Sequence, residues 1–352
     1  MLFGKILNVN KMIKVSVGSD SAEFILIFIM IGSMLFSSLK RKKIGYVRYP
    51  SLVDCWGFGK QMNTLLKGIA CIMIIMSHYV TMYYGTIHAH GVVYYTQIYS
   101  ANIALVWFMY SSGYGLALKN NSGGQYLSVA VKRIAKVYLP LIFVCFSSMI
   151  LKKLICIDGS WSFSYLLGMK DEWYVWCIIY FYGIYYLAQY LSNKIQIDIT
   201  IILSILLIGY FAFAYLFFGE SQAHYYRFPL AFIAGHVVGK KEKMWKSTLS
   251  ICVFMMTFFF MEFHFFKCYI LAFAFIFILS VFDKFYDVKE GSLYRIGLVS
   301  YFFYLCHQRI SEQVLDAIGV QDCLLWIVTT FFFAYLLNTV YNKFCLLYTS
   351  PS

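Results

Sequence analysis

Two ionisable side chains interrupt an apolar segment of the sequence, where such groups are rare and usually functional. Lys67 and His78 stand eleven residues apart in the segment TLLKGIACIMIIMSHY. Eleven residues of α-helix turn through three turns plus about 20° and rise about 16 Å, so both side chains project from one face. An imidazole can remove a hydroxyl proton near neutral pH, while a lysine holds an anion. Alternatively, Lys67 extends to the interface and His78 hydrogen-bonds to a neighbouring helix.

The composition indicates what kind of scaffold must position these two residues. Of 352 residues, 61% are hydrophobic, 20% aromatic and only 13% charged, and the mean hydropathy is +0.70. A soluble domain carries about 25% charged residues, so the composition excludes a soluble enzyme and a disordered chain. It predicts an all-α, polytopic transmembrane helical bundle. We expect about ten to eleven spans, from the candidates 21–39, 62–84, 98–118, 134–152, 172–191, 198–218, 225–239, 247–263, 266–282, 296–316 and 323–346.

The basic residues predict the orientation of these spans. The net charge is +13, and Lys and Arg concentrate between apolar segments, where they orient helices and contact anionic lipid. We therefore expect no nucleic-acid partner. If the segment after the first span is cytoplasmic, the cytoplasmic segments hold nineteen of the 29 Lys and Arg residues and the segments on the other side hold nine. The remaining one, Lys67, lies within a span. This distribution predicts an outer N-terminus and an inner C-terminus.

The chain divides into one long membrane domain and short additions. We predict an N-terminal tail at 1–20, an extra N-terminal transmembrane helix at 21–39 and a membrane domain at 62–346. Residues 347–352 differ in composition from the apolar segment before them, as is typical of a non-native or truncated end. We assign them no function. The ten cysteines form no CxxC pair and mostly lie in apolar segments, so we interpret them as small hydrophobic residues. His88 and His90 have a spacing that indicates metal only weakly, and we expect a solvated loop and no metal site.

Five segments follow one another in an order that matches a known set of motifs. They are K-x10-H at Lys67–His78, WFMYSSGYGL at Trp107–Leu116, VKRIAKVYLP at Val131–Pro140, EWYVW at Glu172–Trp176 and GLVSYFFYLCHQ at Gly297–Gln308. Together they resemble the acyltransferase-3 family of integral-membrane O-acyltransferases, whose motifs are R-x10-H, F-F-x-x-S-G-F/Y, R-x-x-R-hydrophobic-P, W-F-L and S-Y-x-x-Y-L-x-H. The resemblance extends from about Met62 to Asn338, and the family has a core of ten helices.

The resemblance implies roles for individual residues. His78 matches the essential histidine and is expected to act as the general base on the acceptor hydroxyl. Lys67 stands in the place of an arginine that supports the acyl donor, and lysine lacks the bidentate fork of arginine. Lys132, Arg133 and Lys136 match a basic segment at a cytoplasmic helix entrance, where they could bind acyl-CoA phosphates or simply orient the helix. The family binds no resident cofactor, and acetyl-CoA is the expected donor substrate.

Further candidates for the substrate pocket carry weaker signals. They are Ser112, Glu172, Trp173, Tyr304 and His307. Each has a structural alternative: Ser112 could hydrogen-bond within its own helix, Trp173 could belong to the interfacial aromatic belt, Tyr304 could pack, and His307 could lie at the interface. We expect Gly113 and Gly115 to permit close helix packing. We expect the same of Gly235 and Gly239, which form a GxxxG motif.

These observations favour a membrane O-acetyltransferase. It would move acetyl from cytoplasmic acetyl-CoA to a hydroxyl of a surface-polysaccharide or lipid-linked sugar, surrounded by the lipid of a bacterial cytoplasmic membrane. One alternative is a polysaccharide flippase or small-solute transporter, which often shows internal repeats that this sequence lacks. Another is a glycan polymerase, which tends to carry a larger outer loop than any found here.

Overall fold

A computed structural model describes residues 17–42, 57–83, 91–119, 126–155, 163–168, 172–218, 227–240 and 263–349, most of which are helical. The α-helices are α1 (Val17–Ser37), α2 (Lys60–Tyr83), α3 (Gly91–Tyr95), α4 (Ala101–Leu118), α5 (Tyr126–Leu154), α6 (Phe163–Leu166), α7 (Trp173–Ile195), α8 (Ile199–Phe218), α9 (Pro229–Lys240), α10 (Phe263–Phe285), α11 (Ser292–Leu298), α12 (Ser300–Cys306), α13 (Gln313–Ala317) and α14 (Cys323–Thr349). Two π-helical turns, Thr96–Ser100 and His307–Glu312, connect α3 to α4 and α12 to α13.

Several of these helices have the length and composition of membrane spans. Among the described residues, five helices are long and apolar enough to cross a membrane, at 60–83, 126–154, 199–217, 266–285 and 323–344. A helical membrane protein is therefore confirmed, whereas the count of ten to eleven spans stays a prediction. The candidate span 247–263 falls almost wholly outside the described residues.

The structure also contains a small β-ladder, which the all-α prediction did not include. Strands β1 (Leu39–Arg41) and β2 (Tyr286–Val288) pair antiparallel, with Leu39 opposite Val288. Three-residue strands carry too little alternation to be recognised in a sequence. The ladder joins the end of α1 to the end of α10, so the basic segments predicted to share the cytoplasmic face do lie side by side.

The extra helix α1 packs against the rest of the protein. Its Phe24 is fully buried and its Ile27 is nearly so. The Phe24 ring lies 6.1 Å from the ring of Tyr79 on α2. α1 is therefore part of the folded body, and it begins at Val17 rather than at the predicted residue 21.

Glycines allow two pairs of helices to approach closely. A Cβ atom at Gly113 of α4 would lie 1.9 Å from the Phe232 carbonyl oxygen of α9, and one at Gly235 would lie 2.0 Å from the Tyr110 carbonyl oxygen. The close packing predicted for Gly113 and for Gly235 is thus confirmed. The same expectation for Gly115 is wrong, because nothing lies within 4 Å of a Cβ built there.

A second glycine contact positions the helix that carries His78. A Cβ at Gly68 of α2 would lie 2.0 Å from the Leu293 carbonyl oxygen, and one at Gly297 of α11 would lie 1.8 Å from the Thr64 carbonyl oxygen. These backbones therefore touch where α2 crosses α11, one residue after Lys67. In a bilayer such contact between backbones is a main source of helix association.

The cysteines behave as predicted wherever the structure describes their side chains. Cys71, Cys145, Cys177, Cys268, Cys306 and Cys323 are all free and buried. They fill apolar packing positions.

At the predicted cytoplasmic end of α8, Asp198 acts as a cap. Its carboxylate accepts a hydrogen bond from the Thr200 amide at 2.7 Å and pairs with Lys240 of α9 at 3.4 Å. Partial burial alone would raise the pKa of Asp198, but the Thr200 hydrogen bonds and the Lys240 charge outweigh it and hold that pKa below its ordinary value.

Candidate active site

His78 lies on α2 beside both π-helical turns. The hydroxyl of the adjacent Ser77 donates to the Gln97 carbonyl in the first turn, at 2.8 Å. The side-chain amide of Gln308 in the second turn lies 3.3 Å from His78 Nδ1. π-Helical turns occur frequently at functional sites. Because Gln308 occupies Nδ1, His78 Nε2 is the ring nitrogen left for a substrate.

His307 brings a second imidazole to the same place. Its ring centroid lies 5.0 Å from that of His78, with the planes tilted by 44°, and the residue is only 3% exposed. Its Nδ1 donates to the Tyr304 carbonyl, and its Nε2 is buried without a hydrogen-bond partner among the described residues. His307 therefore lies in the site rather than at the interface.

The second π-helical turn is held from two neighbouring helices. The Trp326 indole of α14 donates to the His307 carbonyl at 2.8 Å, and the Ser148 hydroxyl of α5 donates to the Arg309 carbonyl at 2.7 Å. A π-helical turn shifts the backbone ladder, and these side chains supply partners for its carbonyls. The positions of His307 and Gln308 thus depend on contacts with distant parts of the chain.

A buried ion pair fixes the same turn to α7. Arg309 Nε lies 2.5 Å from Glu172 Oε1, and the two side chains are only 5% and 9% exposed. The Arg309 guanidinium also lies over the Tyr165 ring, 4.5 Å from its centroid. Glu172, predicted as a pocket residue, forms this ion pair with Arg309. Sequence reasoning gave Arg309 no role, although an arginine at the end of an apolar segment was an available signal.

The remaining pocket candidates separate into two groups. Tyr304 lies in the site, with its ring centroid 5.4 Å from that of His307 and 5.1 Å from that of Tyr174. Trp173 instead stacks on Phe228 at 5.8 Å. Ser112 donates to the Phe108 carbonyl of its own helix at 2.9 Å and lies within hydrogen-bond reach of the Tyr182 hydroxyl. The structure therefore places Ser112 near Tyr182, His307 beside His78, and Tyr304 beside His307.

Lys67 begins the face of α2 that ends at His78. Among the described residues no carboxylate lies within salt-bridge distance of its ammonium group, although the residue is half-buried. One turn further along, the Cys71 thiol lies 3.5 Å from the Ser300 carbonyl at the start of α12. The face from Lys67 to His78 is thus covered by the chain segment that carries His307.

The three basic residues of α5 do not share one environment. Lys132 and Lys136 are exposed, whereas Arg133 is half-buried. Arg133 lies close enough to Tyr182, Tyr185 and Tyr186 of α7 for electrostatic interaction with all three. Arg133 therefore faces the protein interior.

No metal-like cluster accompanies these groups in the part of the chain that the structure describes. No three His, Cys, Asp or Glu side chains there lie close enough to hold one ion. The weak candidates His88 and His90 fall outside the described residues.

Comparison with known families identifies the family of this chain. The family profile described as an acyltransferase domain matches residues 64–343, which is well over half of the chain and includes Lys67, His78 and His307. The chain belongs to the acyltransferase-3 family. Its apolar helices and this family together make it a multi-pass membrane acyltransferase. Neither the curated proteins nor the solved structures give a match.

Proposed function

We propose that this acyltransferase moves an acetyl group from cytoplasmic acetyl-CoA to a hydroxyl of a surface-polysaccharide or lipid-linked sugar, in a bacterial cytoplasmic membrane. One observation carries the proposal. The His78 imidazole is half-buried on a helix that has the length and hydropathy of a membrane span, with Gln308 at its Nδ1. A base held in this way suits removal of a proton from a hydroxyl.

The reaction then needs a single proton acceptor. His78 Nε2 takes the proton of the acceptor hydroxyl while that oxygen bonds to the thioester carbonyl carbon. The carbon–sulfur bond breaks, and coenzyme A leaves as a thiolate that receives the proton from His78. The products are the acetyl ester and the free thiol. Gln308 supports the base when its amide oxygen accepts a hydrogen bond from Nδ1–H, because this tautomer leaves the lone pair of Nε2 free to take the proton.

The cytoplasmic half of the site supplies positive charge for the donor. Lys67 is half-buried with no carboxylate partner in the described chain, and Arg133 faces inward near three tyrosines. Ammonium and guanidinium groups bind phosphates well. In this proposal Arg133 holds the anionic donor at its entrance, with help from the exposed Lys132 and Lys136, and Lys67 supports it deeper in the helix bundle.

The first test is the ester content of the host's surface glycan. Wild type, His78→Ala and His236→Ala are expressed in a strain lacking the gene, membrane levels are matched, and alkali-labile acetate is quantified by NMR. His236 is the matched control, since it is a buried histidine on α9 whose ring contacts Tyr185.

We expect acetate with wild type and His236→Ala and none with His78→Ala. Full acetylation by His78→Ala would refute the assignment of the base. No ester with well-inserted wild type would contradict the acetyl donor, and solute flux in vesicles would then favour a transporter.

A further inference from the structure

Beside the proposed base lies an acceptor atom without a partner. His307 is 3% exposed, and no carboxylate pairs with it among the described residues. A charged imidazole buried without a counter-charge would be costly, so the ring is neutral. Its Nδ1 contacts the Tyr304 carbonyl, and a carbonyl can only accept a hydrogen bond. The proton of His307 is therefore on Nδ1, and Nε2 presents a lone pair.

The described part of the chain supplies no hydrogen-bond donor for that lone pair. The Nε2 atom is buried and has no partner in the described chain, and an unsatisfied buried acceptor is destabilising. A fully ionised oxyanion or a phosphodiester cannot satisfy it, because neither has a proton to donate. A hydroxyl group can. The ring centroid lies 5.0 Å from that of His78, the residue that takes the reacting hydroxyl.

We propose that the acceptor is held through two neighbouring hydroxyl groups: one reacts at His78, and the other donates a hydrogen bond to His307 Nε2. This inference rests on the proposed function and adds the substrate class, a vicinal diol such as a sugar ring supplies. His307 is then a residue that determines specificity, because an acceptor with a single hydroxyl leaves its lone pair unsatisfied. Sites that bind a substrate hydroxyl in this way discriminate strongly against analogues that lack it.

The test compares two small acceptors that differ in the second hydroxyl. Purified protein in lipid nanodiscs is given acetyl-CoA with ethane-1,2-diol or with 2-fluoroethanol, and the acetyl ester is quantified by mass spectrometry. Fluorine replaces the hydroxyl with little change in size, and it cannot donate a hydrogen bond. We expect wild type to prefer the diol by about ten-fold or more in kcat/KM.

Two variants separate recognition from folding. In His307→Asn the amide nitrogen can still donate to the Tyr304 carbonyl, but the Nε2 acceptor is lost; His307→Gln is the second variant. We expect both to prefer the diol by less than about three-fold, because the loss of rate falls mainly on the diol. His236→Asn, the same change at another buried histidine, should keep the full preference.

The outcomes distinguish this inference from the proposed function. Esters formed equally fast from both acceptors by wild type would overturn the diol inference and leave acetyl transfer standing. An unchanged preference in both His307 variants, or an equal loss with both acceptors, would also overturn it. No ester from either acceptor with wild type would overturn the diol inference, and the glycan acetate assay decides the proposed function separately.

Discussion

Removal of the carboxylate that pairs with Arg309 should be among the most damaging single changes near the site. In Glu172→Gln the shape of the side chain is kept, but the negative charge is lost. At 2.5 Å and an effective dielectric constant of about 20, the attraction between the two charges is about 7 kcal/mol. Desolvation of two buried ions offsets most of this, so the intact pair contributes little net stability. The variant, however, leaves a buried guanidinium without its charge partner, which costs about 3–5 kcal/mol.

The assay is thermal unfolding in detergent, followed with a dye that reacts with thiols as the buried cysteines become exposed. At about 2 °C per kcal/mol, we expect the Tm of Glu172→Gln to fall by about 6–10 °C. Acetyl transfer should fall as well, because Arg309 follows His307 and Gln308 in the same π-helical turn. Asp287→Asn is the matched control, since the Asp287–Lys42 pair is exposed and 3.7 Å long and should contribute less than about 1 kcal/mol.

A double variant tests the stated cause of the destabilisation. Replacing Arg309 by Met as well as Glu172 by Gln removes the uncompensated charge, so much of the lost Tm should return. Activity should stay low, because the turn is still not tied to α7. If Glu172→Gln unfolds at the temperature of Asp287→Asn, or if the double variant is no more stable than the single one, the reasoning is refuted.

Three further predictions concern packing, pH and the donor. Gly113→Ala should destabilise the protein by about 1–3 kcal/mol in the same unfolding assay, because its Cβ would meet backbone at 1.9 Å, whereas Gly115→Ala has free space and should not. Since the pKa of Asp198 is lowered on folding, the ionised carboxylate stabilises the protein at neutral pH, and this stabilisation is lost as the pH falls through the acid range. Asp198→Asn should therefore flatten the acid part of the Tm–pH profile. An unchanged profile would contradict the stabilising role of the carboxylate. Lys67→Met should raise the KM for acetyl-CoA by about ten-fold or more, because it removes the positive charge, whereas Lys67→Arg keeps the charge and should not. Equal KM values for the two variants would exclude a role for this charge in binding acetyl-CoA.

The class of protein and part of the site follow from the sequence because they depend on local properties. Hydropathy identifies helices suited to a bilayer without reference to their neighbours. Lys67 and His78 share a face because both belong to one helix with a fixed period. The order of five short motifs led to the family, which the match over residues 64–343 confirms.

The neighbours of His78 were decided by tertiary structure alone. Gln308 lies 230 positions from His78 in the chain, and Glu172 lies 137 positions from Arg309. Within lipid, apolar side chains give no preference for one helix pairing over another, so no periodic pattern in the sequence reports such contacts. The pairing depends instead on where glycines let backbones touch, as Gly68 and Gly297 do. The π-helical turn that aims His307 at His78 likewise exists only where Trp326 and Ser148 meet its carbonyls, and those partners come from separate helices.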